Sequence, residues 1–409
     1  MSMPTAKEYS LELGDEKLTV KTGIIAEQAN ASVLCQMGDT VVLGNVTVSS
    51  PREDIDFLPL QIVYQEKYYA GGRIGGNRFR KREGRPTDDY ILLARVIDRG
   101  LRPMFPKHLH HDIQVFCTVL SYDFEHEHDI AAANAANLAV AISDCPSDGP
   151  VASVRVGLVG GELILNPSRE ARTRCDLDMF LTASLEKVVM IEARGNQVPE
   201  ADILRAIAFG KKWAQKIARF FADIQREIGR SKFTVEPPYT HAKAQEALLS
   251  WALPQITKAI RDPLPKLERR RIFDDLMEKS VEVLKEKFGG APQATSDEKK
   301  KEEFEKLLAH GPVFVDKIIK EQVRRMILEE HVRMSGRKID EIRTLSALVD
   351  VLPSRVHGSA LFQRGETQGL TTCTLGGPGD KQIVEGMEGE RKVRYLHHYN
   401  FPPFSVGET

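Results

Sequence analysis

The sequence has few cysteines, no long apolar run and no N-terminal targeting pattern. Its five cysteines stand singly, with no Cys-x-x-Cys pair, which argues against disulfides and zinc and favours buried thiols in a reducing compartment. No apolar run approaches the roughly 20 residues that a membrane span needs. The first residues, MSMPTAKEYSLELGDEKL, have the features of neither a signal peptide nor a transit peptide. We therefore expect a cytoplasmic protein without a membrane partner.

The chain as a whole is nearly neutral. The 409 residues carry a formal net charge of −1, with 42% hydrophobic and 28% charged residues, as is ordinary for a soluble globular protein. The length fits two to three domains. Against this neutral total, a local excess of one sign indicates a partner of the opposite sign.

One segment, residues 73–102, has such an excess. It holds four acids and nine basic residues, which are Arg73, Arg78, Arg80, Lys81, Arg82, Arg85, Arg95, Arg99 and Arg102. We call it the basic segment. Glycines at 71, 72, 75 and 76 predict a loop over residues 71–84, with Phe79 set among the cations. This combination favours single-stranded nucleic acid, because cations follow phosphates while an aromatic ring stacks on bases.

The second half of the basic segment predicts a helix. Thr87 is a candidate N-cap, and two aspartates follow it in the first turn. Arg95, Arg99 and Arg102 are spaced as i, i+4 and i+7, so they form one basic stripe if the helix extends that far. The alternative is a solvated helix face on which these arginines pair with neighbouring aspartates.

Apolar patterns outline the rest of the chain. They predict an antiparallel sheet over residues 17–64, a buried strand at 113–120 and a central helix of small residues at 129–143. Two further strand groups at 151–165 and 178–192 precede a long helix at 200–228, which together indicate an α+β sandwich of roughly 230 residues. A linker at 235–238 then leads into a helical region from 241 to 331.

The chain contains an internal repeat. Residues 29–48 (ANASVLCQMGDTVVLGNVTV) align without a gap with residues 356–375 (VHGSALFQRGETQGLTTCTL), with identity at seven of 20 positions. Chance likeness between two amphipathic hairpins is the alternative, but the identical polar residues and glycine in fixed register argue against it. Downstream, residues 395–409 stand opposite residues 57–71, so we expect a strand there. The chain thus appears as one complete copy followed by the start of a second.

Five segments resemble the polynucleotide phosphorylase family. They are KREGRP (81–86), ARVIDRGLRPMFP (94–106), GRKIDEIRTLS (336–346), HGSALFQRGETQ (357–368) and HYNFPPFSVGET (398–409). The resemblance implies an α+β fold with a ribonuclease PH-like (ribosomal protein S5 domain 2-like) sandwich at residues 8–235. An all-helical domain at 239–325 and a truncated second ribonuclease PH-like domain at 326–409 would follow.

The resemblance also implies an activity. Members of this family are 3′ to 5′ exoribonucleases of mRNA degradation, in which inorganic phosphate attacks the terminal phosphodiester and releases a nucleoside diphosphate; the reverse reaction extends RNA. Mg²⁺, a homotrimeric ring that threads single-stranded RNA, and proteins of an RNA-degradation complex are the implied cofactor and partners. The metal-binding aspartates, a lysine and phosphate-binding serines would lie beyond Thr409, with KH and S1 domains after them. We therefore expect no catalytic or metal-binding residue here, and little activity from this chain alone.

The family's RNA constriction is a loop with two aromatics followed by basic residues. Arg80 stands where the second aromatic is usual, which predicts weaker stacking at this point. The residues that the resemblance assigns to RNA binding are Phe79, Arg80, Lys81, Arg82, Arg85, Arg95, Arg99 and Arg102.

The sequence admits two alternative functions and two alternative metal sites. A non-catalytic RNA-binding ring component is the alternative function, because the first domain of the family has no working active site. A tRNA-trimming ribonuclease PH is disfavoured by the helical insert and the duplicated start. His126 and His128 with nearby acids, or the histidines of residues 108–111, could hold a metal, but their spacing alone fixes no geometry.

Overall fold

The structure is a computed structural model that describes residues 6–52, 55, 57–76, 81–289 and 298–409. The strands are β1 (Lys7–Leu13), β2 (Glu16–Thr22), β3 (Ala31–Met37), β4 (Thr40–Pro51), β5 (Leu60–Glu66), β6 (His111–Ser121), β7 (Val151–Val159), β8 (Glu162–Leu165), β9 (Leu177–Ser184), β10 (Val188–Gly195), β11 (Leu345–Val349), β12 (Gly358–Arg364), β13 (Thr367–Cys373), β14 (Gln382–Gly386) and β15 (Gly389–Val393). The helices are α1 (Asp88–Leu101), α2 (His128–Ile142), α3 (Arg169–Arg172), α4 (Glu200–Ile228), α5 (Ala242–Arg261), α6 (Lys266–Phe288), α7 (Glu298–Ala309) and α8 (Gly311–Glu330).

Internal contacts divide the chain into two compact units. The first comprises Met1–Pro237 with Pro378–Thr409, and the second comprises Pro238–Gly377. The three domains expected from the resemblance, at 8–235, 239–325 and 326–409, stay a prediction. No helix in the described part of the chain is long and apolar enough to cross a membrane.

Two sheets form the core of the first unit. One has the strand order β1-β2-β3-β4-β6-β5 and the other β10-β9-β7-β8. Helix α2 packs against strands of both sheets, and α4 packs on β7 and β9. The α+β sandwich and the long helix at residues 200–228 are confirmed.

The small residues of α2 explain its central position. Every residue of this helix is buried, and the strands on either side approach it closely. A Cβ atom on Gly44 of β4 would lie only 2.8 Å from the backbone carbon of Ala135. Alanine on the helix and glycine on the strand therefore permit a contact that larger side chains would prevent.

The internal repeat is confirmed in three dimensions. Leu18 pairs with Met37 across β2 and β3, and their counterparts 327 positions later, Leu345 and Arg364, pair across β11 and β12. Both hairpin turns place a glycine in the left-handed region, and in both a glutamine amide donates to that glycine's carbonyl oxygen, at 2.8 Å in the first copy and 2.7 Å in the second. The glutamine and the glycine that both turns share thus give the same local geometry, although Asp39 of the first turn is replaced by Glu366 in the second.

The second unit joins four helices to the three-stranded sheet β11-β12-β13. Its core is built from one face of each helix, with residues such as Leu248, Ile256, Leu284 and Val315 fully buried. The helical region expected at 241–331 is confirmed.

Two details of the strand prediction are wrong. Strand β5 pairs with β6 in parallel, so the first sheet is not purely antiparallel. Residues 395–409 contain a 3-10 helical turn at Pro403–Val406 and no strand. A strand needs a neighbour to satisfy its backbone groups, and this segment pairs with none of the described strands.

Candidate nucleic-acid interface

The loop of the basic segment is held at its base by Tyr68 and Glu83. The Glu83 carboxylate accepts hydrogen bonds from the Tyr68 backbone N–H, at 3.1 Å, and from Lys67 Nζ, at 2.8 Å. The backbone N–H of Arg73 donates to the Tyr68 carbonyl oxygen at 3.0 Å. The backbone of one residue, Tyr68, therefore contacts both arms of the loop.

Glycines let the two arms of this loop pack closely. A Cβ on Gly75 would overlap the Tyr68 ring at 1.9 Å, and one on Gly76 would lie 2.2 Å from the carbonyl oxygen of Arg82. Gly76 also has a φ of +93°, which favours glycine. Phe79 and Arg80, which the sequence assigns to RNA binding, lie outside the described residues.

Four cations of the basic segment face solvent without a carboxylate partner. Lys81, Arg82, Arg85 and Arg95 are exposed, and within the described ranges none of the four makes a side-chain hydrogen bond or an ion pair. We call these four residues the open cations. Among the described residues that the sequence assigns to RNA binding, these four remain available to bind an anion; Arg73, elsewhere in the segment, is also exposed.

Arg99 and Arg102 are engaged within the protein. Arg99 donates to Glu192 Oε2 at 2.5 Å and to the Ile191 carbonyl oxygen at 3.0 Å, which ties α1 to β10. Arg102 is bidentate to Asp98, at 2.7 and 2.8 Å, and also reaches two carbonyl oxygens at the start of β5. In the predicted stripe, Arg95 is therefore open to solvent, whereas Arg99 and Arg102 are paired within the protein.

Helix α1 begins and ends close to the predicted positions. Thr87 is its N-cap residue and Asp88 and Asp89 lie in the first turn, but the Thr87 side chain makes no capping hydrogen bond. Arg102 lies just beyond the last helical residue, Leu101. The assignment of Arg95, Arg99 and Arg102 to RNA binding stays a prediction.

An acidic hairpin packs beside the basic segment within the first unit. Strands β14 and β15 form this hairpin, and Met387 at its turn is 1% exposed. Glu388 accepts a hydrogen bond from Arg169 at 2.7 Å, Arg391 pairs with Asp89 of α1, and the Tyr68 hydroxyl donates to the Glu385 carbonyl oxygen at 3.4 Å. Sequence reasoning missed this contact, because its partners lie about 220 to 320 positions apart in the chain.

A buried polar cluster that sequence reasoning missed lies where β5 meets α2. The Tyr64 hydroxyl lies 2.7 Å from His128 Nδ1 and 3.0 Å from Glu66 Oε1. Burial, followed by the charge of Glu66, raises the pKa of Tyr64 well above its usual value. Burial likewise raises the pKa of Glu66, although His128 opposes that rise. No contact in the described residues joins this cluster to the open cations.

The two histidines considered as metal ligands belong to separate clusters. His126 Nδ1 lies 2.7 Å from Asp123 Oδ2, whereas His128 contacts Tyr64 and faces Glu66 at 3.7 Å. In the second candidate group, the histidines of residues 108–111, His111 packs on the ring of Phe233. Across the described ranges, no group of three or more His, Cys, Asp or Glu side chains is placed to hold a metal ion.

Comparison with known sequences identifies the family. The 3′ exoribonuclease family domain 1 matches residues 16–146, and domain 2 of the same family matches residues 149–212. The basic segment therefore lies inside the first of these domains.

Several curated relatives of the chain are named polyribonucleotide nucleotidyltransferase. The chain is 41% identical over 403 residues to that of Halothermothrix orenii, 43% over 404 residues to that of Syntrophomonas wolfei, and 42% over 404 residues to that of Gloeothece citriformis. Each comparison covers 98% of this chain and 55 or 56% of the relative. The chain thus spans just over half the length of these relatives.

Among solved structures, the chain is similar to the rice (Oryza sativa) protein Rrp46. The sequence identity is 16% and the TM-score is 0.41, with 55% of this chain and 96% of that chain covered. The family follows instead from the sequence relatives, which match nearly all of this chain, and from the two matched domains. The chain belongs to the polyribonucleotide nucleotidyltransferase family of 3′ exoribonucleases.

Proposed function

We propose that this chain is the RNA-guiding part of a 3′ to 5′ phosphorolytic exoribonuclease. In this reaction, inorganic phosphate attacks the phosphorus of the terminal 3′,5′-phosphodiester of single-stranded RNA, and the bond from that phosphorus to the 3′-oxygen of the preceding nucleotide breaks. The products are a nucleoside diphosphate and an RNA that is one nucleotide shorter and ends in a 3′-hydroxyl. Membership of the family supports the reaction class. The chain's own role rests on the four open cations: Lys81, Arg82 and Arg85 lie before α1, beside the Glu83 that holds the base of the loop, and Arg95 lies on α1.

Unpaired surface cations suit an RNA backbone for a physical reason. A guanidinium that already has a carboxylate partner must lose it before it can bind phosphate, whereas Lys81, Arg82, Arg85 and Arg95 have none to lose in the part of the chain that the structure describes. Each phosphate that such a cation neutralises releases counterions, which makes binding strongly dependent on salt. Phe79, two positions before Lys81 in the sequence, would add base stacking.

The chemical step needs groups beyond the open cations. Phosphoryl transfer depends on charge neutralisation and positioning, and the family resemblance implies Mg²⁺ for this purpose. The described residues offer no suitable set of metal ligands, so no step is assigned to them. We therefore propose that the 409-residue chain alone releases little nucleoside diphosphate; a homotrimeric ring and a cytoplasmic location stay predictions.

The binding role is tested with fluorescence anisotropy of labelled single-stranded RNA over a range of salt concentrations. Replacing Lys81 and Arg82 by Ala should weaken binding and reduce the slope of log K against log[salt] by about 1.4, since each single-strand phosphate contact contributes about 0.7. The matched control replaces Lys212 and Arg219, which are exposed on α4, and should leave the slope unchanged. An equal slope in the loop variant would contradict the proposal.

The catalytic part is tested separately by phosphate-dependent release of ADP from poly(A) with Mg²⁺. We expect the purified chain to bind poly(A) yet release almost no ADP. Rapid release that depends on phosphate would show that the chain itself holds a working active site. Binding without release supports the guiding role.

A further inference from the structure

Four arginines come together in the second unit at the start of the second repeat copy. Arg333 and Arg337 lie at the two ends of a tight loop, which a β-bridge between Val332 and Lys338 closes. In this loop the Arg333 backbone N–H donates to the Arg337 carbonyl oxygen at 3.1 Å. Gly336, with a φ of +77°, permits the turn between them.

Contacts with the backbone bring the guanidinium groups near one another. Arg333 Nη2 and Arg337 Nη1 both donate to the carbonyl oxygen of Glu341, the latter at 3.5 Å. Two guanidinium groups that share one acceptor atom lie within a few ångströms of each other. The loop thus presents two cationic groups at a single point.

The other two arginines come from the β11-β12 hairpin. The Arg343 side chain passes over Gly365, where a Cβ would lie 2.8 Å from Arg343 Cδ. Arg364 is the neighbour of Gly365 in sequence and pairs with Leu345 across β11 and β12. We call Arg333, Arg337, Arg343 and Arg364 the arginine cluster.

Carboxylates do not balance these charges. In the described ranges, none of the four arginines forms an ion pair. The nearest acid, Glu341, uses Oε2 to accept the backbone N–H of Lys338 at 3.2 Å. Arg333 Nε is buried and has no hydrogen-bond partner, which is costly for a charged group.

The cations also affect one another. Partial burial and then the charges of Arg333, Arg343 and Arg364 lower the pKa of Arg337, while Glu341 opposes this effect. Mutual repulsion of this kind is relieved when an anion binds between the cations.

We propose that the arginine cluster is a binding site for a phosphate group. Planar guanidinium forks donate paired hydrogen bonds to the oxygens of phosphate, and several of them can surround one such group. Neither the open cations nor any other residue of the basic segment takes part, so this inference does not rest on the proposed function. The phosphate could belong to an RNA backbone or to a free phosphate or nucleoside diphosphate, which present the same oxygens.

Calorimetric titration of the full 409-residue chain tests the site. Inorganic phosphate, ADP and a single-stranded oligoribonucleotide without terminal phosphates are titrated in turn at constant ionic strength. Arg337→Gln and Arg364→Gln should each raise the Kd about tenfold for the ligand that the site takes, as expected for the loss of one charge-assisted contact. Arg324→Gln, on α8 of the same unit and exposed, removes the same charge and should have no effect.

The pattern across ligands identifies the source of the phosphate. Weakened binding of phosphate and ADP indicates a site for free phosphate groups, whereas weakened binding of the oligoribonucleotide alone indicates an RNA contact. Circular dichroism and thermal melting verify that each variant is folded. Arg364 is exposed at a strand end, so Arg364→Gln remains informative if Arg337→Gln unfolds. Unchanged affinity for all three ligands in the folded variants would overturn the proposal. Failure of Lys81 and Arg82 variants to affect RNA binding would instead concern only the proposed function.

Discussion

Replacing Arg155 by Met should destabilise the first unit strongly. Arg155 is 7% exposed and joins Asp129 of α2 to Asp178 of β9 through two ion pairs. Removal of one partner from a buried pair costs about 3–5 kcal/mol, because the remaining charge is left uncompensated. Arg172 still contacts Asp178 at 2.9 Å, so we expect a loss near the lower limit, about 3 kcal/mol.

The loss should depend on pH in a defined direction. Burial opposes ionisation of Asp129, but Arg155 and Arg172 outweigh it and lower its pKa. The stabilisation from this group is therefore present above the unfolded pKa and is lost as the pH falls through the folded pKa. Without Arg155 the burial effect should dominate and raise the pKa of Asp129. Protonation of Asp129 at lower pH should therefore reduce the loss of stability in the variant.

Urea unfolding at pH 7 and pH 4.5 measures both effects. A Trp251→Phe background leaves Trp213, on α4, as the only tryptophan and thus reports the first unit. The difference in free energy of unfolding should be largest at pH 7 and smaller at pH 4.5. Arg226→Met, whose exposed pair with Asp223 should contribute at most about 1 kcal/mol, is the control. A loss below about 1 kcal/mol, or an equal loss at both pH values, would refute the reasoning.

Two further predictions concern α1 and the core. Arg102→Ala should lower the free energy of unfolding by about 1–2 kcal/mol through its lost hydrogen bonds and leave the salt dependence of RNA binding unchanged. Arg95→Ala should reduce that salt dependence without affecting urea unfolding. The reverse pattern would contradict the distinction between an open Arg95 and a paired Arg102. Gly44→Ala should lower the free energy of unfolding by about 1–3 kcal/mol, because the added methyl group overpacks against Ala135. The control Gly369→Ala, with no atom within 4 Å of its added Cβ, should lower it by less than about 1 kcal/mol. Equal thermal melting temperatures for the two variants would argue against the close approach of Gly44 and Ala135.

Much of the fold could be predicted because its signals are local. Helix α2 is a run of small apolar residues, and α4 keeps helical spacing for 29 residues. The predicted ends of both helices therefore agree with the structure to within a residue or two. The repeat even predicted the register of a second hairpin. Periodicity and turn chemistry act over a few residues, and a sequence shows them directly.

The environment of the site could not be predicted, because it depends on distant partners. Arg99 and Arg95 look alike in the sequence, yet only Arg99 meets an acid from β10, 93 positions away. The acidic hairpin reaches Arg169 and Asp89 across more than 200 positions. Such contacts follow from packing of the finished fold, so the sequence alone could propose the basic segment but not separate its open cations from its paired ones.

The two repeat copies connect the fold to the arginine cluster. Met37, at the end of β3, is 2% exposed in a core that α2 covers, and its counterpart at the end of β12 is Arg364, which is exposed. An arginine in place of Met37 would bury an unpaired charge, which would strongly destabilise the folded state. The glutamine and the glycine that set the turn are the same in both copies, whereas the residue at this strand end differs. The hairpin geometry therefore comes from the turn, and the side chain at the strand end is free to serve another purpose. In the second copy that side chain adds a fourth cation to a site suited to phosphate.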